Sequence, residues 1–420
     1  MPDLLFLAHR VPYPPDKGEK IRSYHALLHL AKRFRVHLGC FADNPDDEQY
    51  LPQLRDICGG DVRVFPLARR FGLARGLYGL ATGASLSEYY FRDSRMTRWV
   101  ADTMARVRPG NVFLYCSAMA PYAMPYRSAH RVILDMVDVD SEKWRAYAAK
   151  AAWPVSALYA REARALLALE RGAARAFERT LLVSNAEATV FRRLAPESSG
   201  RIGHYDNGVD LRTFDPARAY PNPFAAGTEP VVFTGTMDYR PNIEAVEWFA
   251  TAIFPQIRAA RPSADFWIVG ANPARPVSRL ASLPSVYVTG RVPDVRPYLA
   301  HAACVVAPLK IARGVQNKVL EAMAMAKPVV ATPAAAEGIS AAPGKELLVA
   351  ETPQAFAGAV LSVLSVLAGD GAGMGREARA RVENDYSWSL NLEVLDRIFN
   401  DSAAPLRPRE TANLAAGIVS

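Results

Sequence analysis

Residues 304–332 read Cys304-Val-Val-Ala-Pro-Leu-Lys-Ile-Ala-Arg-Gly-Val-Gln-Asn-Lys-Val-Leu-Glu-Ala-Met-Ala-Met-Ala-Lys-Pro-Val-Val-Ala-Thr332. A short apolar run, a loop with one glycine, a helix-period run and a second β-branched run after Pro328 make a strand–loop–helix–strand unit. That unit is the building block of a parallel α/β sheet. Gly314 lets the backbone turn towards a ligand, and the amides of Val315, Gln316 and Asn317 are expected to face a phosphate, because free helix N–H groups attract anions. Lys318 adds a point charge. Glu321, one turn on, has carboxylate oxygens suited to two ribose hydroxyls. The flanks Val319, Leu320, Ala322, Met323 and Ala324 are apolar, which predicts a buried helix and separates Glu321 from an ordinary solvated glutamate.

The same alternation runs outward in both directions. In the first half, strands are expected at 4–8, 36–41, 62–66, 112–116, 132–135 and 180–184, with helices such as 20–33 and 96–108 between them. The second half adds strands at 231–234, 266–269, 286–289, 304–307 and 328–332. Two Rossmann-like units follow. Asp-Asn-Gly, Asp-Pro and Tyr-Pro-Asn-Pro punctuate 206–228, which therefore reads as a linker between a domain over 1–205 and one over 229–400. Residues 401–420 read as a frayed tail. Ligands of such sheets bind beyond the carboxyl ends of the strands, so a cleft between the two domains is the expected site.

With 420 residues, 50% hydrophobic and 22% charged, the chain has ample material for large cores and is not a disordered protein. Its net charge of +8 is unevenly placed: residues 1–204 carry Lys+Arg 30 against Asp+Glu 21, and the remainder is close to neutral. Cys40, Cys58, Cys116 and Cys304 show no metal or disulfide spacing and are expected to be reduced and buried. The apolar stretch 4–8 is too short for a signal peptide, and no run is long enough to span a bilayer, so a cytoplasmic location is expected.

A second glycine loop, Pro14-Pro15-Asp16-Lys17-Gly18-Glu19-Lys20, follows the first strand, with Arg22 half a turn on. Lys17, Gly18, Lys20 and Arg22 are its candidate anion contacts; a solvated loop with a helix cap is the competing reading. No G-x-G-x-x-G follows, which removes the best support for a nicotinamide enzyme. Residues 153–179 read as a long helix with more arginine than glutamate, and Arg69–Tyr78 interleaves basic and apolar groups. Both patterns suit an anionic membrane surface as well as ordinary core-facing helices. Nucleic acid is not expected, because no recognition motif accompanies the charge.

The sequence resembles the family-4 GT-B glycosyltransferases over nearly its whole length. The runs that carry the resemblance are Phe233-Thr-Gly-Thr-Met-Asp-Tyr-Arg-Pro-Asn242, Ile268-Val-Gly270, Val288-Thr-Gly-Arg-Val-Pro-Asp-Val295, Lys318-Val-Leu-Glu-Ala-Met-Ala324 and Lys327-Pro-Val-Val-Ala-Thr332. His9-Arg-Val-Pro-Tyr-Pro-Pro-Asp-Lys-Gly-Glu-Lys-Ile-Arg22 is similar, more narrowly, to the sugar transferases of bacterial exosortase (PEP-CTERM) exopolysaccharide systems. The resemblance implies a nucleotide-diphosphate sugar on the C-terminal domain and a glycan or lipid-linked acceptor on the N-terminal one. It further implies base contacts at Arg291 and Val292, the ribose role at Glu321, and Gly235 near the diphosphate, with Gly270 as a further donor contact. Retention of configuration, no metal and no cofactor are implied as well.

Arg313 stands where many family members carry the first of two glutamates. Lys318, Arg240 and Arg313 are the cations available for the diphosphate. Asp138, in Asp138-Val139-Asp140 after the fifth strand, is read as a polar catalytic contact or as a helix cap. His9 is read as positioning a hydroxyl or moving a proton, or as a structural histidine. A nucleotide-sugar epimerase of the same fold and a non-catalytic sugar-binding subunit are the alternatives.

Overall fold

Leu4, Leu5, Phe6, Leu7 and Ala8 are all fully buried, as a strand covered on both faces of a parallel sheet requires. The computed structural model describes residues 1–15, 18–42, 44–67, 83–312, 315–367 and 373–400. The chain forms two compact units. The first holds Met1–Leu182, Ala188–Gly203 and the described residues 392–400; the second holds Val183–Glu187 and His204–Asn391.

The first unit contains a seven-stranded sheet of β1 (Asp3–Ala8), β2 (Arg35–Ala42), β3 (Gly59–Pro66), β4 (Asn111–Tyr115), β5 (Arg131–Val137), β6 (Arg179–Leu182) and β7 (Ile202–His204), in the order β3-β2-β1-β4-β5-β6-β7. The second contains β8 (Glu229–Thr234), β9 (Ala264–Val269), β10 (Val286–Gly290), β11 (Cys304–Ala307), β12 (Val329–Ala331) and β13 (Leu348–Val349), in the order β10-β9-β8-β11-β12-β13. The registered pairs are parallel in both sheets. In each, the strand order reverses once, between β1 and β4 and between β8 and β11. A reversal leaves a crevice at the carboxyl ends of the two strands, which is where a doubly wound sheet binds its ligand.

Two strands escape the sequence reading, β7 and β13, of three and two residues, too short to show a period. The helix Glu393–Asn400 also differs from the expectation that the C-terminal domain runs to residue 400, because it belongs to the first unit. Asp396 accepts from Arg33 at 2.7 Å and faces His29 at 3.0 Å, Phe399 packs on Phe34, and Arg131 donates to the carbonyl of Ile398. Those partners lie some hundreds of residues away in sequence, where no local pattern reveals them.

Candidate functional site

In the second unit the crevice between β8 and β11 is built from the loops that follow those strands. Gly235 directly follows β8, and its amide donates to the carbonyl of Val269. A Cβ on Gly235 would lie 2.8 Å from Asn242 Nδ2 and 3.1 Å from Lys318 Nζ, so only glycine leaves room for these two groups. A Cβ on Gly270 would run into the Gly235 carbonyl oxygen, so the two loops touch backbone to backbone. Asn242 is buried and donates to the carbonyl of Thr236 at 2.8 Å. Its Oδ1 accepts from Lys318 Nζ at 2.6 Å. The ammonium also stands 4.2 Å from the centre of the Phe233 ring.

Lys318 sits in the first turn of the helix Asn317–Ala324, whose start carries no side-chain cap. The helix forms where the sequence places it because Val319, Leu320, Ala322, Met323 and Ala324 are all buried. Burial lowers the Lys318 ammonium to about 7, partly opposed by the Glu321 charge, and burial raises the Glu321 carboxyl to about 7, partly opposed by Lys318. Both groups therefore change charge near neutral pH, as groups poised to meet a charged ligand do. Asn317 Oδ1 is held by Asn207 Nδ2 at 3.1 Å, and Val315 is buried, with Gln316 half-buried beside it. A cavity of about 780 Å³ opens past the ends of β11 and β12, lined by Trp248, Lys310, Thr332 and Glu337 among others.

The remaining expected donor contacts are placed differently. Arg240 has a side chain 81% exposed and pairs with Glu244 at 2.8 Å, so it does not join the Gly235 cluster. Arg291 is exposed after Gly290, whose φ of +68° turns the chain, and Val292 packs against the core. Arg313 and Gly314 lie outside the described residues. Asn242, which the sequence showed only as the end of a quoted run, is the residue missed: it needs the fold to bring it to Lys318, 76 positions on.

In the first unit, His9 follows β1 at the reversal between β1 and β4. Its ring stacks on Tyr115 at 5.7 Å and meets Phe91 edge-on at 5.5 Å. Cys116 and Val137, at the ends of β4 and β5, adopt φ of +81° and +71°. Such backbone is strained for residues other than glycine and gathers at working sites. Asp138 is half-buried directly after Val137, two residues before the helix Asp140–Lys150 begins. Burial raises the Asp140 carboxyl, with Lys143 and His9 opposing. Ser141 donates to the buried Glu170 through both N and Oγ, and Glu170 is raised to about 8 by burial.

The glycine loop is corrected in two places. Arg22 is fully buried and pairs with Asp135 at 2.9 Å, also donating to the carbonyl of Leu182. Lys20 is buried on Asp47 at 2.9 Å. Both cations hold the helix Gly18–Ala31 to its surroundings, because a buried charge must find a counter-charge. Gly18 is the first residue of that helix, while Lys17 and the stretch Arg69–Tyr78 lie outside the described residues.

Residues 228–366 match the family described as Glycosyl transferases group 1. The fold and the match indicate a glycosyltransferase. The matched residues of this glycosyltransferase contain Gly235, Asn242, Gly270, Lys318 and Glu321. A glycosyltransferase from Rickettsia africae is similar at TM-score 0.66 and 13% identity, over 96% of this chain and 100% of that one. Anabaena HepE, solved with UDP and glucose, is similar at TM-score 0.66 and 14% identity, over 95% and 100%. WaaG, a glycosyltransferase involved in lipopolysaccharide biosynthesis, gives 0.66 and 14%, over 96% and 100%. The fold is thus that of the GT-B glycosyltransferases, two parallel-sheet α/β domains. No curated protein matches the sequence.

Proposed function

We propose that the protein transfers a sugar from a nucleotide-diphosphate donor to an exopolysaccharide or lipid-linked glycan, as a family-4 enzyme of the exosortase-associated kind, with retention of configuration and without a metal. In this reading it works in the cytoplasm, peripherally on the membrane. The observation that carries the donor part is the Lys318–Asn242 pair packed against the side-chain-free Gly235 at the strand reversal, with Glu321 one turn on. An anion arriving there meets an ammonium, uncapped helix amides and a backbone that comes close. Glu321 accepts from the ribose hydroxyls. HepE was solved with UDP-glucose, which agrees with a nucleotide sugar as donor.

In the chemical step the bond from the anomeric carbon to the diphosphate oxygen breaks and its electron pair leaves on the diphosphate. Lys318, drawn to its charged form by that anion, stabilises the leaving group. The acceptor hydroxyl oxygen bonds to the anomeric carbon on the face the diphosphate leaves, which keeps the configuration, and its proton passes to His9 or Asp138.

A thermal-shift series with UDP-, GDP-, ADP- and dTDP-sugars tests the donor site, because a ligand of the native state must stabilise it. One nucleotide class is expected to raise the melting temperature of the wild type, and Lys318→Ala and Glu321→Ala to lose most of that rise. No shift with any of them, or an unchanged shift in Lys318→Ala, contradicts the site.

A further inference from the structure

The helices Asp140–Lys150 and Val155–Ala176 form a hairpin in the first unit, and its tip is apolar and exposed. Trp153 is 82% exposed, and Val155 and Leu158 join it among the few large apolar side chains that the described residues leave open to solvent. Residues 152–155 are exposed without a break. Below the tip, Trp144, Tyr147 and Tyr159 pack on one another at 5.2–6.3 Å and tie the two helices together. A tryptophan presented this way costs solubility and does nothing for the core, so a partner is needed to account for it.

The charges around the tip say which partner. Between residues 142 and 164 stand Lys143, Arg145, Lys150, Arg161 and Arg164, against the acids Glu142 and Glu162. Arg145 pairs with Glu142 at 2.8 Å and Arg161 stands 3.7 Å from Glu162, while Lys150 and Arg164 are exposed, so the tip keeps a net positive charge. Glu162 is fully buried and faces inward, accepting from Ser85 and from the amides of Leu86 and Ser87. At 1.5 Å per helical residue, Arg145, Lys150 and Arg161 lie within roughly 10 Å of the tip along the hairpin axis, about the depth of a headgroup layer. An apolar tip with tryptophan at its end and a net positive collar fits an anionic bilayer surface. The rings sit at the interface while the cations meet the phosphates.

We propose that this hairpin tip docks the protein on anionic lipid, with Trp153 inserted at the interface. The inference deepens the membrane part of the proposed function. Its test uses the chain without donor or acceptor, so it can fail while the transferase reading stands.

The experiment is co-sedimentation of the full chain with vesicles of phosphatidylcholine alone and of phosphatidylcholine with 30–40% phosphatidylglycerol (roughly, a strongly anionic surface). Binding is expected to the anionic vesicles and to weaken with salt. Trp153→Ala is expected to lower partitioning about tenfold, Trp153→Phe to retain most of it, and Lys150→Gln to lower it about fivefold. The exposure of Trp153 and Lys150 makes a folding defect in these variants unexpected, and their melting temperatures check it. No preference for anionic vesicles, or unchanged binding by Trp153→Ala, overturns the proposal. So does a dimer in solution that Trp153→Ala dissolves, which would make a second copy the partner.

Discussion

Lys318 is the residue on which the proposed donor site turns, and its charge state gives it a signature. Burial has brought the ammonium from the ordinary lysine range to about 7. A diphosphate beside it favours the charged form, so binding must take up a proton wherever the free protein has lost it, which is above pH 7. Nucleoside diphosphate affinity is therefore expected to fall as pH rises from about 7 to about 9, approaching tenfold per unit at the upper end. Ionisation of Glu321 over the same range changes its ribose contact by no more than about twofold, since that carboxyl is already half ionised at about 7. Calorimetry in buffers of different ionisation enthalpy reads the proton directly, and Lys318→Ala should reduce the uptake to what Glu321 contributes. Lys318 and Glu321 were legible in sequence because their chemistry and the apolar helix beneath them are local. Asn242 was not, nor were the true partners of Lys20 and Arg22, because a cation near a glycine looks the same whether it faces a phosphate or a carboxylate 113 residues away.

Among the elements, the helix Gly18–Ala31 shows what such a distant partner does. Arg22 spans from this helix to β5, through Asp135, and to the end of β6, through the carbonyl of Leu182. It pins the first helix over β5, whose last residue, Val137, precedes Asp138. Arg22→Leu would leave Asp135 charged and fully buried, and is expected to cost about 3–5 kcal/mol of stability. Denaturant unfolding followed in the first unit measures it, with Arg22→Leu/Asp135→Leu recovering most of the loss. A cost below about 1 kcal/mol would mean that the pair is not what holds the helix. Strands with unbroken apolar runs, such as residues 4–8 of β1 and the whole of β11, could be read directly, since only burial on both faces tolerates such a run. β7 and β13 could not, because at three and two residues their place is set by the neighbours they pair with.

For the whole molecule, the uneven charge acquires a physical reading. In the proposed function the second unit, near neutral, meets its anion through Lys318, helix amides and close backbone approach. The excess positive charge belongs to the first unit, where part of it is spent internally on Asp135 and Asp47 and part rings the Trp153 tip. The alternation of strand and helix made two parallel-sheet units legible from sequence, whereas the return of Glu393–Asn400 to the first unit depends on contacts that only the folded chain makes. The central claim is that the Lys318 site drives departure of a nucleoside diphosphate from a nucleotide sugar. The direct measurement is the rate of nucleoside diphosphate release from the stabilising donor, in wild type and in Lys318→Ala. Release by the wild type, slowed about 100-fold or more in the variant, is the predicted result. Equal rates in the two, or an epimerised nucleotide sugar with no diphosphate released, would contradict it.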